Sequence, residues 1–115
     1  MSDLVRASPE GPRDTFEDVE ELLKAIAAVG AGLEDFQVLV DTRDVTVGPK
    51  VSELWLVART LSRYRGKLGR KTAILCPRER FDHARFYAKC AENEGFNVRA
   101  FMSYEDAMEW LLEET

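Results

Sequence analysis

Hydrophobic and polar positions follow two spacings along the chain, the helical period of about 3.6 residues and short apolar runs typical of buried strands. Helical spacing predicts a first helix over residues 16–29, which Gly30 ends. Thr15 and Asp18 stand at its start in the spacing of a capping box. The apolar run Phe36–Asp41 then predicts a buried strand.

The same alternation continues to the carboxyl end of the chain. The predicted elements are a helix with apolar positions at Val51, Leu54, Trp55, Ala58 and Leu61, a strand Thr72–Cys76, a helix from Phe81 to Gly95, a strand Phe96–Phe101, and a helix that Ser103 caps. Because helices alternate with apolar strands, we expect parallel strands with helices packed against the sheet.

The amino-terminal segment Leu4–Ala7 is expected to add a short strand, and Pro9 and Pro12 prevent a longer one. Such a strand belongs at an edge of the sheet, where antiparallel pairing is allowed. We therefore predict one α/β domain over residues 1–115. It has a mostly parallel sheet of about four strands, with four helices mainly on one face.

Composition agrees with a single soluble domain, since 45% of the 115 residues are hydrophobic and 32% are charged. No stretch approaches the roughly 18 apolar residues of a membrane span, and the start MSDLVRASPEGPRD has no signal-peptide core. We expect a cytoplasmic protein. Two cysteines and one histidine predict neither a metal site nor a cofactor, and the net charge of −5 argues against nucleic-acid binding.

Charge is unevenly distributed, because the segment from Leu54 to Arg78 carries basic residues and no acidic one. These are Arg59, Arg63, Arg65, Lys67, Arg70, Lys71 and Arg78. Such a patch suits an acidic partner or an anionic head group. A solvated rim is the favoured interpretation, since cations near a helix carboxyl end interact well with the helix dipole.

Asp41 ends its strand at the carboxyl edge, where open α/β sheets bind ligands. A phosphoacceptor domain of this kind also needs an acidic pair for magnesium, a hydroxyl and a lysine at other strand ends. At the ends of its other strands, this chain has Ala7-Ser8, Cys76-Pro77 and Phe101-Met102 instead of those groups. We therefore expect Asp41 to shape the turn that follows it.

Two further arrangements of residues bear on catalysis and phosphate binding. Cys76 and His83 could approach each other, but Pro77 lacks the N–H that an oxyanion site would need. The loop Gly48–Ser52 precedes a helix but lacks the spacing of a phosphate-binding loop, and Ser52 is expected to cap that helix. We predict no enzymatic activity, and a Cys76-based enzyme is the least favoured reading.

The order of these motifs resembles the SpoIIAA-like, or STAS-type, family. Val38–Asp44 is similar to an apolar strand followed by D-x-R, and Lys71–Pro77 is similar to the next strand of the family. The strongest likeness is the tail Phe96–Leu111, which resembles the family ending G-F-x-V-x-x-F-x-x-x-E-x-A-x-x-W-L. The resemblance implies the same α/β fold.

The resemblance also bears on regulation, since anti-sigma antagonists of this family carry a phosphorylatable residue in a D-S-x-G-like loop. Counting from Asp41 places that loop at Gly48–Ser52, where no D-S pair occurs and Lys50 stands near the serine position. Ser52 is the nearest candidate for modification. Regulation by phosphorylation is therefore not expected in its usual form. Docking of a partner through the surface around this loop is still expected.

We thus predict a non-catalytic regulatory or protein-interaction module of the bacterial cytosol. It docks a protein partner through the loop after the Val38–Asp41 strand and the start of the next helix. The candidate contact residues are Asp41, Arg43, Asp44, Lys50 and Ser52. The alternative is a carrier domain for a small anionic or lipid ligand, including a nucleotide.

Overall fold

The computed structural model describes residues 3–113. Its strands are β1 (Asp3–Ala7), β2 (Gly11–Pro12), β3 (Phe36–Asp41), β4 (Val45–Val47), β5 (Thr72–Leu75) and β6 (Val98–Phe101). Its helices are α1 (Phe16–Gly30), α2 (Val51–Thr60), α3 (Phe81–Asn93) and α4 (Tyr104–Leu112). Short 3₁₀ turns follow α2 and precede α3, at Leu61–Tyr64 and Arg78–Arg80.

The main sheet has the strand order β1-β3-β5-β6, and every pair is parallel. This confirms the predicted four-stranded parallel sheet. β1 lies at an edge, but the antiparallel pairing considered for it is wrong, since Val5 pairs with Val38 in parallel register. Helix α1 returns the chain to the opposite end of the sheet before β3 begins, and that crossover produces a parallel neighbour.

Two very short strands, which the sequence did not predict, form a separate parallel pair. Gly11 of β2 pairs with Val45 of β4, and Pro12 pairs with Val47. The pair joins the segment after β1 to the segment after β3. It therefore fixes the course of the loop that carries the predicted contact residues.

The two faces of the sheet are covered unequally. Helices α1, α2 and α3 lie on one face, with a core that includes Val5, Leu23, Ile26, Val38, Val40, Val57, Leu61 and Ala91. Helix α4 covers the other face alone, over Leu39, Ala73, Leu75, Ala107 and Leu111. The prediction that the helices lie mainly on one face is confirmed.

The helix starts agree with the sequence at two of three predicted caps. The Thr15 hydroxyl accepts the Asp18 N–H at 3.1 Å, and Asp18 accepts the Thr15 N–H at 3.2 Å. Ser103 accepts the Asp106 N–H at the start of α4. Ser52 does not cap α2, because the helix begins at Val51 and Lys50 stands at the N-cap without a side-chain bond. The predicted cap was therefore wrong by two residues.

Helix α2 also differs from the prediction in the residues that it buries. Val51 and Trp55 were predicted to face the core, yet they are 45% and 47% exposed. The buried stripe of α2 consists of Leu54, Val57 and Ala58. Trp55 lies instead beside Arg59, whose guanidinium is 5.1 Å from the ring centroid.

The basic stretch forms an exposed rim, with one exception. Lys71 is only 7% exposed, and its ammonium group donates to the Trp110 carbonyl at 2.7 Å and the Glu113 carbonyl at 2.9 Å. The same ammonium lies 5.2 Å from the centroid of the Trp110 ring. Lys71 therefore satisfies carbonyl groups at the carboxyl end of α4, where a cation is favourable.

Candidate functional site

A cavity of about 480 Å³ lies between the sheet and the three helices that cover one face. Its lining is largely apolar and includes Val5, Leu22, Ile26, Val29, Val40, Leu54, Leu61, Ile74, Ala84, Tyr87 and Val98. Well-packed interiors contain few voids larger than a water molecule. Sites for small ligands typically have volumes of about 300–1,000 Å³, so this cavity has the size of a binding site.

Each surrounding element contributes side chains to the cavity for a simple geometric reason. Successive residues of a strand point to opposite faces, so Ile74 faces the cavity while its neighbour Leu75 packs beneath α4. Exposed lining residues such as Ala25 on α1 and His83 on α3 mark where the cavity opens to solvent.

Polar groups gather at one end of the cavity, beyond the carboxyl ends of the strands. Arg13, Thr42, Arg80 and His83 line this end, which we call the carboxyl end of the cavity. Arg80 donates to the Thr42 carbonyl at 2.6 Å. A Cβ at Gly48 would lie 3.1 Å from Cδ of Arg80, so glycine leaves room for the arginine to reach Thr42.

Two acidic residues of α1, Asp18 and Glu21, also line the cavity. The Asp18 carboxylate accepts the Thr15 N–H as part of the helix cap, and these bonds lower the pKa of Asp18. Glu21 is exposed at the rim. Neither carboxylate forms an ion pair with Arg13, Arg80 or His83 anywhere in residues 3–113.

The predicted contact residue Asp41 lies outside the cavity and is 8% exposed. Its carboxylate accepts two bonds from the Arg43 guanidinium, at 2.8 and 3.0 Å, and one from Arg6 at 3.2 Å. The Arg43 guanidinium holds the pKa of Asp41 below its usual value. Asp41 also accepts the backbone N–H of Arg43 and therefore shapes the turn after β3.

The other predicted contact residues, Arg43, Asp44, Lys50 and Ser52, are exposed on the loop after β3 and the start of α2. None of them lines the cavity, whereas their neighbours Thr42, Val45, Gly48 and Pro49 do. The segment 42–52 thus has an inner side against the cavity and an outer side in solvent. Arg43, Asp44, Lys50 and Ser52, which the sequence suggested, lie on the outer side, and none of the inner residues was suggested.

Cys76 and His83 both line the cavity, but no hydrogen bond joins them in the described part of the chain. Burial raises the pKa of the Cys76 thiol, and Arg80 opposes that effect less strongly. The Cys76 thiol contacts the Phe101 carbonyl at 3.6 Å. A thiol with a raised pKa is a poor nucleophile at neutral pH.

Residues 3–113 contain no cluster of three or more His, Cys, Asp or Glu side chains that could hold a metal ion. Among the described helices, none combines the length and apolar character needed to cross a membrane.

Comparisons with known proteins bear on the fold. No protein-family model matches the chain, and no curated protein matches it significantly. Among solved structures, the chain is similar to an uncharacterised protein of the DUF3478 family with a SpoIIAA-like fold from Shewanella loihica PV-4. The match has a TM-score of 0.57 at 20% identity, and it covers 90% of this chain and 80% of that one. The chain therefore has the SpoIIAA-like fold that its strand and tail motifs resemble.

Proposed function

We propose that this domain is a non-catalytic binding module that holds a small apolar molecule between the sheet and helices α1–α3. The observation that carries the proposal is the largely apolar cavity of about 480 Å³. A ligand that fills it removes apolar surface of both partners from water, at roughly 25 cal/mol per Å². The raised pKa of Cys76 gives no support to a catalytic role for the same cavity.

The proposal is tested by titration with N-phenylnaphthylamine, an uncharged dye that fluoresces in apolar surroundings. We expect saturable fluorescence enhancement with the unchanged protein. Ala84→Leu places a larger side chain in the cavity lining, and we expect it to weaken dye binding about tenfold, or about 1.4 kcal/mol.

The matched control is Ala28→Leu, the same change at an exposed position of α1 that does not line the cavity. It should leave dye binding unchanged. Equal dye affinity in Ala84→Leu and the unchanged protein would contradict the proposal, as would the absence of saturable binding.

A second candidate function is docking of a protein partner through the outer side of segment 42–52 and the start of α2. The observation that favours it is the exposure of Val47, Val51 and Trp55 in the same stretch of chain as the exposed charged residues Arg43 and Lys50. Tryptophan is enriched among the interface residues that contribute most to binding, and Trp55 is 47% exposed. This candidate is the regulatory module of the bacterial cytosol expected from the sequence, with Ser52 as its modification site.

Partner capture from cells of the source, read by mass spectrometry, tests this second candidate. The triple variant Arg43→Ala, Lys50→Ala, Ser52→Ala should lose a partner that the unchanged protein retains. The control triple variant Arg63→Ala, Arg65→Ala, Lys67→Ala changes exposed residues of the basic rim and should retain it. Unchanged capture by the first triple variant would contradict docking at this surface, and the same spectra report phosphorylation of Ser52.

A further inference from the structure

The carboxyl end of the cavity carries three nitrogen-bearing side chains, those of Arg13, Arg80 and His83. Arg13, Arg80 and His83 form no ion pair within the part of the chain that the structure describes. Arg80 uses one N–H on the Thr42 carbonyl, and Arg13 donates from Nε to the Glu10 carbonyl. Because a guanidinium has five N–H donors, both arginines keep donors for a further acceptor.

The chain path brings these groups to the same end of the cavity. Arg80 and His83 are three residues apart at the start of α3, so they lie on one side of the chain there. Arg13 lies three residues before α1, whose amino end also lies at the carboxyl edge of the sheet. Asp18 caps α1 and interacts electrostatically with Arg13, whereas no acidic side chain of residues 3–113 forms an ion pair with Arg80 or His83.

The remainder of the cavity suits an extended apolar chain. Its lining follows α1 from Asp18 to Val29, a length of about 16 Å at 1.5 Å per residue. One polar group in this part is the Tyr87 hydroxyl, which has no hydrogen-bond partner in residues 3–113. Burial raises the pKa of Tyr87 strongly, so the hydroxyl keeps its proton as a donor.

We propose, on the basis of the function proposed above, that the ligand is an amphipathic anion. Its single apolar tail lies along the cavity beside α1. Its carboxylate or phosphate head accepts hydrogen bonds from Arg13, Arg80 and His83 at the carboxyl end. Opposite charge at the head and apolar surface along the tail together select this class over neutral or cationic amphiphiles.

Four probes with the same tail and different heads test the charge of the ligand. Lauric acid, dodecyl phosphate, dodecanol and dodecylamine are titrated below their micelle-forming concentrations by displacement of N-phenylnaphthylamine. We expect the acid, the phosphate or both to bind at least about tenfold more tightly than the alcohol, and the amine most weakly. The order of acid and phosphate identifies the preferred head group.

Variants then assign the effect to the carboxyl end of the cavity. Arg80→Met should weaken laurate binding about tenfold and leave dodecanol binding unchanged. Arg13→Met and His83→Gln should also weaken laurate binding and leave dodecanol binding unchanged. These two variants test the proposal if loss of the Arg80–Thr42 bond prevents Arg80→Met from folding. The control is Arg78→Met, an exposed arginine outside the cavity lining, which should have no effect.

Each outcome separates the two proposals. Equal affinity for lauric acid and dodecanol, with the dye displaced by both, would overturn the anionic ligand and leave the apolar binding function intact. Tightest binding of dodecylamine would also overturn the anionic ligand. Failure of every probe, together with no dye binding, would overturn both.

Discussion

The two faces of the sheet show opposite uses of apolar side chains. Under α4, Leu39, Ala73, Leu75, Ala107 and Leu111 are all fully buried. Under α1–α3, a larger set of apolar residues surrounds a cavity of about 480 Å³. The face covered by one nine-residue helix is therefore tightly packed, whereas the face covered by three helices keeps open space.

Side-chain size and helix placement explain this difference. Ala107 has no exposed surface, and its small side chain lets α4 approach the sheet closely. On the other face, α2 packs on both α1 and α3 and contributes Leu54 to the cavity lining, and the 3₁₀ turn after α2 contributes Leu61. The comparison shows that side chains fill the space under α4, whereas the three-helix face combines a buried core with the open space that the proposed binding function requires.

The largest effect on the free energy of unfolding is expected from substitutions at two adjacent residues of β5. Leu75→Ala removes a fully buried side chain under α4 and should lower the free energy of unfolding by about 2–5 kcal/mol. Ile74→Ala changes a partly buried residue that already borders open space, so its loss should be less than half as large. Chemical denaturation of both variants measures the difference, and equal losses would remove the contrast between the faces.

A second pair of variants adds side-chain volume to each face instead of removing it. Ala107→Leu inserts a larger side chain between α4 and the sheet and should cost about 1–3 kcal/mol. Ala84→Leu extends into the cavity, so stability should stay unchanged or rise by up to about 1 kcal/mol. Thermal unfolding at matched concentrations compares the two. A large destabilisation by Ala84→Leu would show that the space at this position is already filled.

Lys71 provides a test of how α4 is anchored to the sheet. Lys71→Met keeps the aliphatic part of the side chain but leaves the carbonyls of Trp110 and Glu113 without their donor. We expect a loss of about 1–2 kcal/mol in the free energy of unfolding. Lys67→Met, at an exposed lysine of the basic rim, should change it by less than about 0.5 kcal/mol. If both variants behave alike, the buried lysine does not anchor α4.

The smallest effect concerns Asp41, whose pKa is lowered by Arg43. Asp41→Asn removes the charge that Arg6 and Arg43 contact. We expect a loss of about 1 kcal/mol in the free energy of unfolding near neutral pH, since both arginines are half exposed. A carboxyl group with a lowered pKa stabilises the folded state above its ordinary pKa of 3.8, and this contribution is lost as the pH falls through the lowered value. Urea unfolding from pH 7 downward should therefore show the two proteins converging below about pH 4. A constant difference would contradict the ion pair as the cause.

Much of the fold could be predicted, because the periodicity of apolar residues reports directly on helices and parallel strands. β3 was predicted with its observed bounds, and the caps at Thr15 and Ser103 were correct. The short strands β2 and β4 were missed, since two or three residues carry no detectable alternation. Their pairing depends on contacts between segments distant in the chain.

The site was harder to predict for a physical reason. An apolar residue such as Leu22 or Ile74 gives the same sequence pattern whether it packs against a neighbour or borders a cavity. The burial of Lys71 depends on carbonyl groups almost forty residues away, which no local pattern reports. Trp55 was predicted to lie in the core because its spacing fits an apolar helical stripe. The stripe that α2 buries is narrower than predicted and does not include Trp55.

The most direct test of the central claim is a nitrogen–proton NMR titration of the labelled protein with N-phenylnaphthylamine. We predict saturable shifts of the amides around the cavity, such as those of Leu22, Ile74 and Ala84, and unchanged amides at Ala107 and Leu111 beneath α4. Shifts centred on the α4 face or on the exposed surface around Trp55, with the cavity amides unmoved, would contradict the account.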